Sequence, residues 1–172
     1  TFGGSVRIFS LMRETARRHR VFSLSFEGTL DREIDRRPFE ELCQRIVEVP
    51  RPPERKRLRQ LLSLASPHSF QRATHESAAL QAALEQLVAE ELIDVVVVEF
   101  SQMGYVRIPP GVAVVVDEHN VEWDLLRREA EHASTALRRL YQSREWVKFR
   151  REERACLQGA DVITVTSARD AE

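Results

Sequence analysis

Three stretches of almost unbroken valine and isoleucine, at residues 95–99, 112–117 and 162–165, leave this chain few choices of fold. A strand with one face in water alternates apolar and polar residues. A run without alternation suits a parallel strand covered by helices on both faces. Two further β-type runs, at residues 21–26 and 46–49, bring the expected strands to five. Between them the apolar period becomes helical. Residues 5–19 carry Val6, Phe9, Met12 and Ala16 at helical spacing and gather Arg13, Arg17, Arg18 and His19 toward the C-terminal end, where the helix dipole favours positive charge. Pro38 suits the first turn of a helix reaching about Arg45. After a turn at residues 50–53, two helices are expected, at residues 54–64 and about 74–91. Residues 121–158 contain neither Pro nor Gly and space Leu126, Ala130, Ala133, Leu137, Leu140 and Tyr141 as a helical stripe. One long helix, bent at most once, is expected there.

This alternation argues for an α/β fold, a Rossmann-like doubly wound parallel sheet with right-handed crossovers and helices on both faces. Such a domain opens with a central strand leading into its glycine loop. Here the sequence begins at the loop, Thr1-Phe2-Gly3-Gly4, so the first strand is expected to be missing. Without it, the other strands are expected to pair in altered order, or to take a strand from another copy in a strand-swapped or edge-paired oligomer. The sequence ends just after Ser167-Ala-Arg-Asp170, a capping-box-like opening of one more helix.

With 172 residues, 42% of them hydrophobic and 31% charged, the composition suits one soluble domain over residues 1–172. Lys and Arg total 26 against 27 Asp and Glu, and the net charge of −1 gives no general attraction to nucleic acid. Cys43 and Cys156 form no CxxC pair, so a reducing compartment is expected rather than a disulfide framework or a zinc site. The apolar runs fall well short of the roughly 20 residues of a spanning helix, and no signal peptide opens the sequence. These features read as cytoplasmic, with room for peripheral contact at the inner face of a membrane. The basic residues around Trp146 and Phe149 would make that contact, although the intervening glutamates favour a solvated face with intrahelical ion pairs.

Chemistry is concentrated at three places. Gly3 and Gly4 are expected to precede their helix directly, where free N–H groups and absent side chains let a phosphate approach; a plain turn is the alternative. No GxGxxG and no GxxxxGK[ST] is present, which speaks against dinucleotide and P-loop readings. The segment Asp117-Glu118-His119-Asn120-Val121-Glu122-Trp123-Asp124 lies between a strand and the long helix, where open α/β sheets bind ligands. Histidine there can orient or deprotonate a hydroxyl, with a neighbouring carboxylate fixing its tautomer. The alternative is a strand-end histidine followed by helix capping through Asn120 and the first-turn Glu122. Glu99 ends another strand beside the same cleft, as a site residue or as a cap of loop backbone. A single histidine among carboxylates gives little reason to expect a metal, and none is expected. Gly3, Gly4, Glu99 and the 117–122 loop are expected to meet at one sheet edge.

In order along the chain, GGSVRIFSL, RRHRVFSLSF, DVVVVEFSQM, VVVDEHNVEWDLLRR and ACLQGADVITVTSARD resemble the glycosyltransferases of family 4. The resemblance spans essentially the whole sequence. It is strongest to bacterial polysaccharide and exopolysaccharide sugar transferases, in which DxHNxE and AD-V-x-x-x-S-x-x-D occur together. It implies the N-terminal, acceptor-side domain of a GT-B enzyme, whose second domain would bind most of the nucleotide-diphospho-sugar and has no counterpart in these residues. It further implies retaining transfer to a glycan or lipid-linked acceptor in cell-surface polysaccharide synthesis, without cofactor or obligatory metal. Gly3 and Gly4 would lie near the donor diphosphate. His119 would lie near the transferred sugar, as a positioning and polarising residue, with Glu99, Asn120 and Glu122 binding substrate. The rival reading is a noncatalytic Rossmann-like ligand-binding or interaction module.

Overall fold

The computed structural model describes residues 3–28, 37–53 and 56–171. The architecture is α/β, and every strand pairing is parallel and joins strands consecutive in the chain. The sequence reads as one domain; the described residues gather into two compact units.

The first unit holds α1 (Gly3–Ala16), β1 (Phe22–Phe26), α2 (Arg37–Leu42), β2 (Arg45–Val49) and α5 (Ala78–Glu91). Strands β1 and β2 pair from Phe22 with Arg45 to Phe26 with Val49. Helix α5 packs on both strands and buries Leu80, Leu84 and Leu87, an i, i+4, i+7 stripe, with Phe26 and Val49. Phe9 and Phe39 join α1 to α2 with ring centroids 5.0 Å apart. The ion pairs Arg20–Glu91 and Arg45–Glu90 are largely exposed and add little.

The second unit holds α3 (Lys56–Ala65), α4 (Phe70–His75), β3 (Val95–Glu99), β4 (Ala113–Glu118), α6 (Glu122–Glu131), α7 (Ala136–Gln158) and β5 (Val162–Val165). Its sheet has the order β3-β4-β5, with Glu99 opposite Asp117 and Glu118 opposite Val165. Only the central strand gains full burial toward its end. On the edge strands, Val95, Val97, Val162 and Ile163 stay about half exposed, so the coverage expected from the valine runs is incomplete there.

All five expected strands form, within a residue at each end. Several helix expectations need correction. The helix expected over residues 5–19 spans Gly3–Ala16, so Arg17, Arg18 and His19 lie beyond its end, and the helix expected to reach about Arg45 stops at Leu42, with Arg45 opening β2. The helix expected from about residue 74 begins instead at Ala78, where the Ser77 hydroxyl accepts from the Leu80 amide, and Thr74 and His75 end α4. The long stretch after residue 121 is two helices, because Thr135 takes extended backbone and accepts from the Arg138 amide as an N-cap. Nor is the apolar stripe of α7 the buried one. Leu137 and Leu140 are exposed, while Glu145, Phe149 and Glu153 form the buried face. Among the described residues, no helix is long and apolar enough to cross a membrane.

Candidate functional site

Alternation along β4 sends Asp117 and the residue after the strand end, His119, to one side of the sheet and Glu118 to the other. Register does the rest, since Glu99 is the partner of Asp117 on β3. His119 Nε2 lies 3.1 Å from Glu99 Oε2 and 3.1 Å from Asp117 Oδ2. The His119 side chain is 5% exposed and that of Asp117 1%, whereas Glu99 is 28% exposed and gives the cluster its opening.

Asp117 and His119 are held from behind. The Thr164 hydroxyl on β5 donates to Asp117 Oδ1. The Thr166 hydroxyl donates to the His119 carbonyl over 3.1 Å. The Phe100 ring lies 4.2 Å from the imidazole, centroid to centroid. Phe100 itself has φ of +70°, a conformation that costs a non-glycine residue roughly 1–3 kcal/mol and is found mainly where the surroundings enforce it. Here its amide donates to the Asp117 carbonyl over 3.2 Å while its ring turns onto His119.

The other side of β4 carries a second group of carboxylates. Glu118 is 3% exposed, and neither of its oxygens meets a hydrogen-bond partner of good geometry. Burial and then the charge of Glu153 push its pKa up to about 8, with Ser101 opposing part of the shift. The single Ser101 hydroxyl proton goes to Glu153 Oε1, 2.9 Å away. Glu153, at 2% exposure, also accepts the Glu122 amide over 3.0 Å and the Trp123 amide over 3.4 Å. It therefore caps α6, whose own N-cap residue, Val121, provides no side-chain bond. Burial raises the pKa of Glu153 and of Glu122 above the usual carboxylate range. Cys156 is pushed up to about 11 by burial and by the charges of Glu118 and Glu153, which leaves it a thiol. Gly104 lies so close that a Cβ there would strike the Cys156 sulfur and Cβ.

Asn120 is exposed and precedes the α6 N-cap instead of serving as it, which corrects the capping alternative. The Glu122 carboxylate accepts from Gln102 Nε2 at 3.0 Å. Gly3 and Gly4 belong to the first unit and form the first turn of α1; they are inside that helix, whereas the sequence reading puts them before it. Thr1 and Phe2 lie outside the described residues. The structure thus joins His119 to Glu99 and adds Asp117, Thr164 and Phe100.

Sequence reasoning misses the role of α7. Glu145 accepts from the Phe70 amide, Glu152 from the Ser69 amide, and Glu153 from the start of α6. Trp146 packs on Trp123 at 6.0 Å, and Arg150 covers the Trp123 ring at 4.7 Å. Phe149 is 1% exposed. The aromatics that suggested a membrane-facing helix are thus spent inside the second unit. Along the resembling C-terminal motif, Asp161 accepts from the Val114 amide at 2.8 Å, tying β5 to β4, and Ser167 accepts from the Asp170 amide at 3.3 Å.

An open cleft of about 420 Å³ lies elsewhere in the second unit, bordered by His68, Arg72, Gln102, Tyr105, Arg151 and Cys156. Glu99, Asp117 and His119 do not line it. Its cations are engaged, Arg72 with Glu76 and Arg151 with the Pro67 carbonyl. What the fold and site define is an α/β chain with a histidine–carboxylate cluster at the carboxyl edge of a parallel sheet. No protein-family model, curated protein or solved structure matches the chain.

Proposed function

We propose that this chain is the acceptor-side, Rossmann-like part of a retaining GT-B glycosyltransferase of family 4. The full enzyme would move a sugar from a nucleotide-diphospho-sugar to a glycan or lipid-linked acceptor in cell-surface polysaccharide synthesis. One observation carries the reading: a buried histidine, bracketed by Asp117 and Glu99, stands at the carboxyl ends of adjacent parallel strands, where open α/β sheets receive ligands.

The chemistry of the cluster supports the same reading. Glycosyl transfer develops positive charge on the sugar ring, and fixed carboxylates at a partly exposed edge stabilise such charge without reorganising. His119, oriented by both carboxylates and by the Phe100 ring, would position the acceptor hydroxyl and polarise it. Glu122 and Asn120, just beyond the end of β4, would contact the sugar. We place the enzyme in the cytoplasm, at most peripherally on the inner face of the membrane.

The test is transfer by the enzyme that joins this chain to a donor-binding domain, measured with a panel of labelled nucleotide sugars. His119→Ala is expected to lower the rate by roughly 10²-fold while the circular dichroism spectrum is kept. The isolated chain should give no turnover. Wild-type rates in His119→Ala at saturating donor and acceptor would sink the catalytic assignment.

A further inference from the structure

Helix α3 is amphipathic, yet it is set into the second unit with its polar side inward. Leu58, Leu61, Leu62 and Ala65 recur at i, i+3, i+4 and i+7, the spacing that usually buries one face of a helix. The residue that packs is Ser63. It is 1% exposed, and its hydroxyl meets that of Tyr141 on α7 at 3.2 Å. Arg59, one turn earlier, donates to the Ala73 carbonyl on α4. At about 3.6 residues per turn, Leu58 and Leu61 stand roughly 140° and 160° around the helix from Ser63. Leu58, Leu61, Leu62 and Leu64 accordingly remain between 42% and 67% exposed. The start of α7 continues this surface: Leu137 lies one turn before Tyr141, on the side that meets α3, and Leu137 and Leu140 are 79% and 62% exposed.

Charge along these segments has one sign. Residues 55–75 hold five Lys and Arg and no Asp or Glu; residues 133–144 hold three Arg and again no acid. Those three, Arg138, Arg139 and Arg144, are exposed and make no ion pair among the described residues. The next acid, Glu145, is buried and turned to the Phe70 amide. A second copy laid on this face would set like charges against each other. Nucleic acid would meet the arginines and leave the leucines in water. A bilayer surface rich in anionic lipid satisfies both kinds of group at once, with leucines at the boundary of headgroups and acyl chains and arginines among the phosphates.

We infer that the outer face of α3 and the start of α7 form a docking surface for an anionic lipid bilayer. The inference rests on the peripheral membrane placement given above and gives it a surface; it does not rest on sugar transfer. It also moves the contact away from Trp146 and Phe149, which the second unit encloses.

The probe is a vesicle. The purified chain is sedimented with vesicles of phosphatidylcholine alone, and with vesicles in which about 30% is replaced by phosphatidylglycerol. Binding to the anionic vesicles is expected, about tenfold tighter than to the neutral ones and weakened by added salt. Leu61→Gln combined with Leu62→Gln, and Arg138→Glu combined with Arg139→Glu, should each weaken it about tenfold or more. All four side chains are exposed, so circular dichroism and melting curves should match the wild type. No uptake of the folded wild type by anionic vesicles overturns the inference together with the membrane placement. Uptake that both double variants leave unchanged overturns the surface alone. A dimer in light scattering that the leucine variant dissolves assigns the face to a second copy and overturns it too.

Discussion

Replacing Glu118 by Gln keeps the shape of a buried side chain and removes its charge. The consequence can be worked out from its surroundings. Glu118 sits against Ser101, Glu122 and Glu153, and its pKa is raised from 4.5 to about 8, by burial first and by Glu153 second. A carboxyl held above its unfolded value binds its proton more tightly in the folded protein. Its contribution is therefore fully present below pH 4.5, falls as the pH rises through the interval, and is lost by about pH 8. Each pH unit in that window is worth about 1.4 kcal/mol, so the 2.5 units between 4.5 and 7 set a ceiling of about 3 kcal/mol. Glu118→Gln should then match the wild type near pH 4.5 and exceed it by about 1–3 kcal/mol at pH 7. Urea unfolding at stepped pH gives the comparison. Both tryptophans, Trp123 and Trp146, lie in the second unit, so their fluorescence reports the part of the chain that contains Glu118. Two stability curves that run parallel from pH 4.5 to 8 would show that Glu118 is not the group that titrates.

Two backbone positions give further tests. Gly104→Ala puts a methyl against the Cys156 side chain and should cost about 1–3 kcal/mol, seen as a lower melting temperature; an unchanged melt would mean that the turn over Ser101–Met103 and α7 can part freely. Leu92 follows α5 with φ of +53° and is 82% exposed, so Leu92→Gly relieves left-handed strain and sacrifices almost no burial. A gain of about 1 kcal/mol in urea unfolding is expected, and a loss would count against the strain.

Much of the fold is legible in the sequence because strand formation here is a local matter. The valine-rich runs at residues 95–99 and 112–117 specify strands by β-branched content alone, and β3 and β4 follow within a residue of those bounds, although the edge strand β3 leaves Val95 and Val97 about half exposed. The same holds for His119 and Glu99. Each stands at the carboxyl end of a strand that its own neighbours specify, so their presence on one ligand-binding edge follows from parallel alternation alone.

What the sequence by itself determined, then, is the set of strands, the α/β class and a histidine at a strand end. Only the tertiary structure decided which polar groups those ends would meet. Along α7 the apolar spacing favours Leu137 and Leu140, yet Glu145, Phe149 and Glu153 are the buried residues. A buried carboxylate is unfavourable unless donors surround it, and the donors are the free amides that open α4 and α6, supplied by Phe70 to Glu145 and by Glu122 and Trp123 to Glu153. Those amides lie 30 or more residues away in the chain, beyond the reach of any local pattern. The pairing of Asp117 with His119 and Glu99 is of the same kind: alternation gives the side of the strand, but the register between β3 and β4 brings Glu99 opposite Asp117 and closes the cluster.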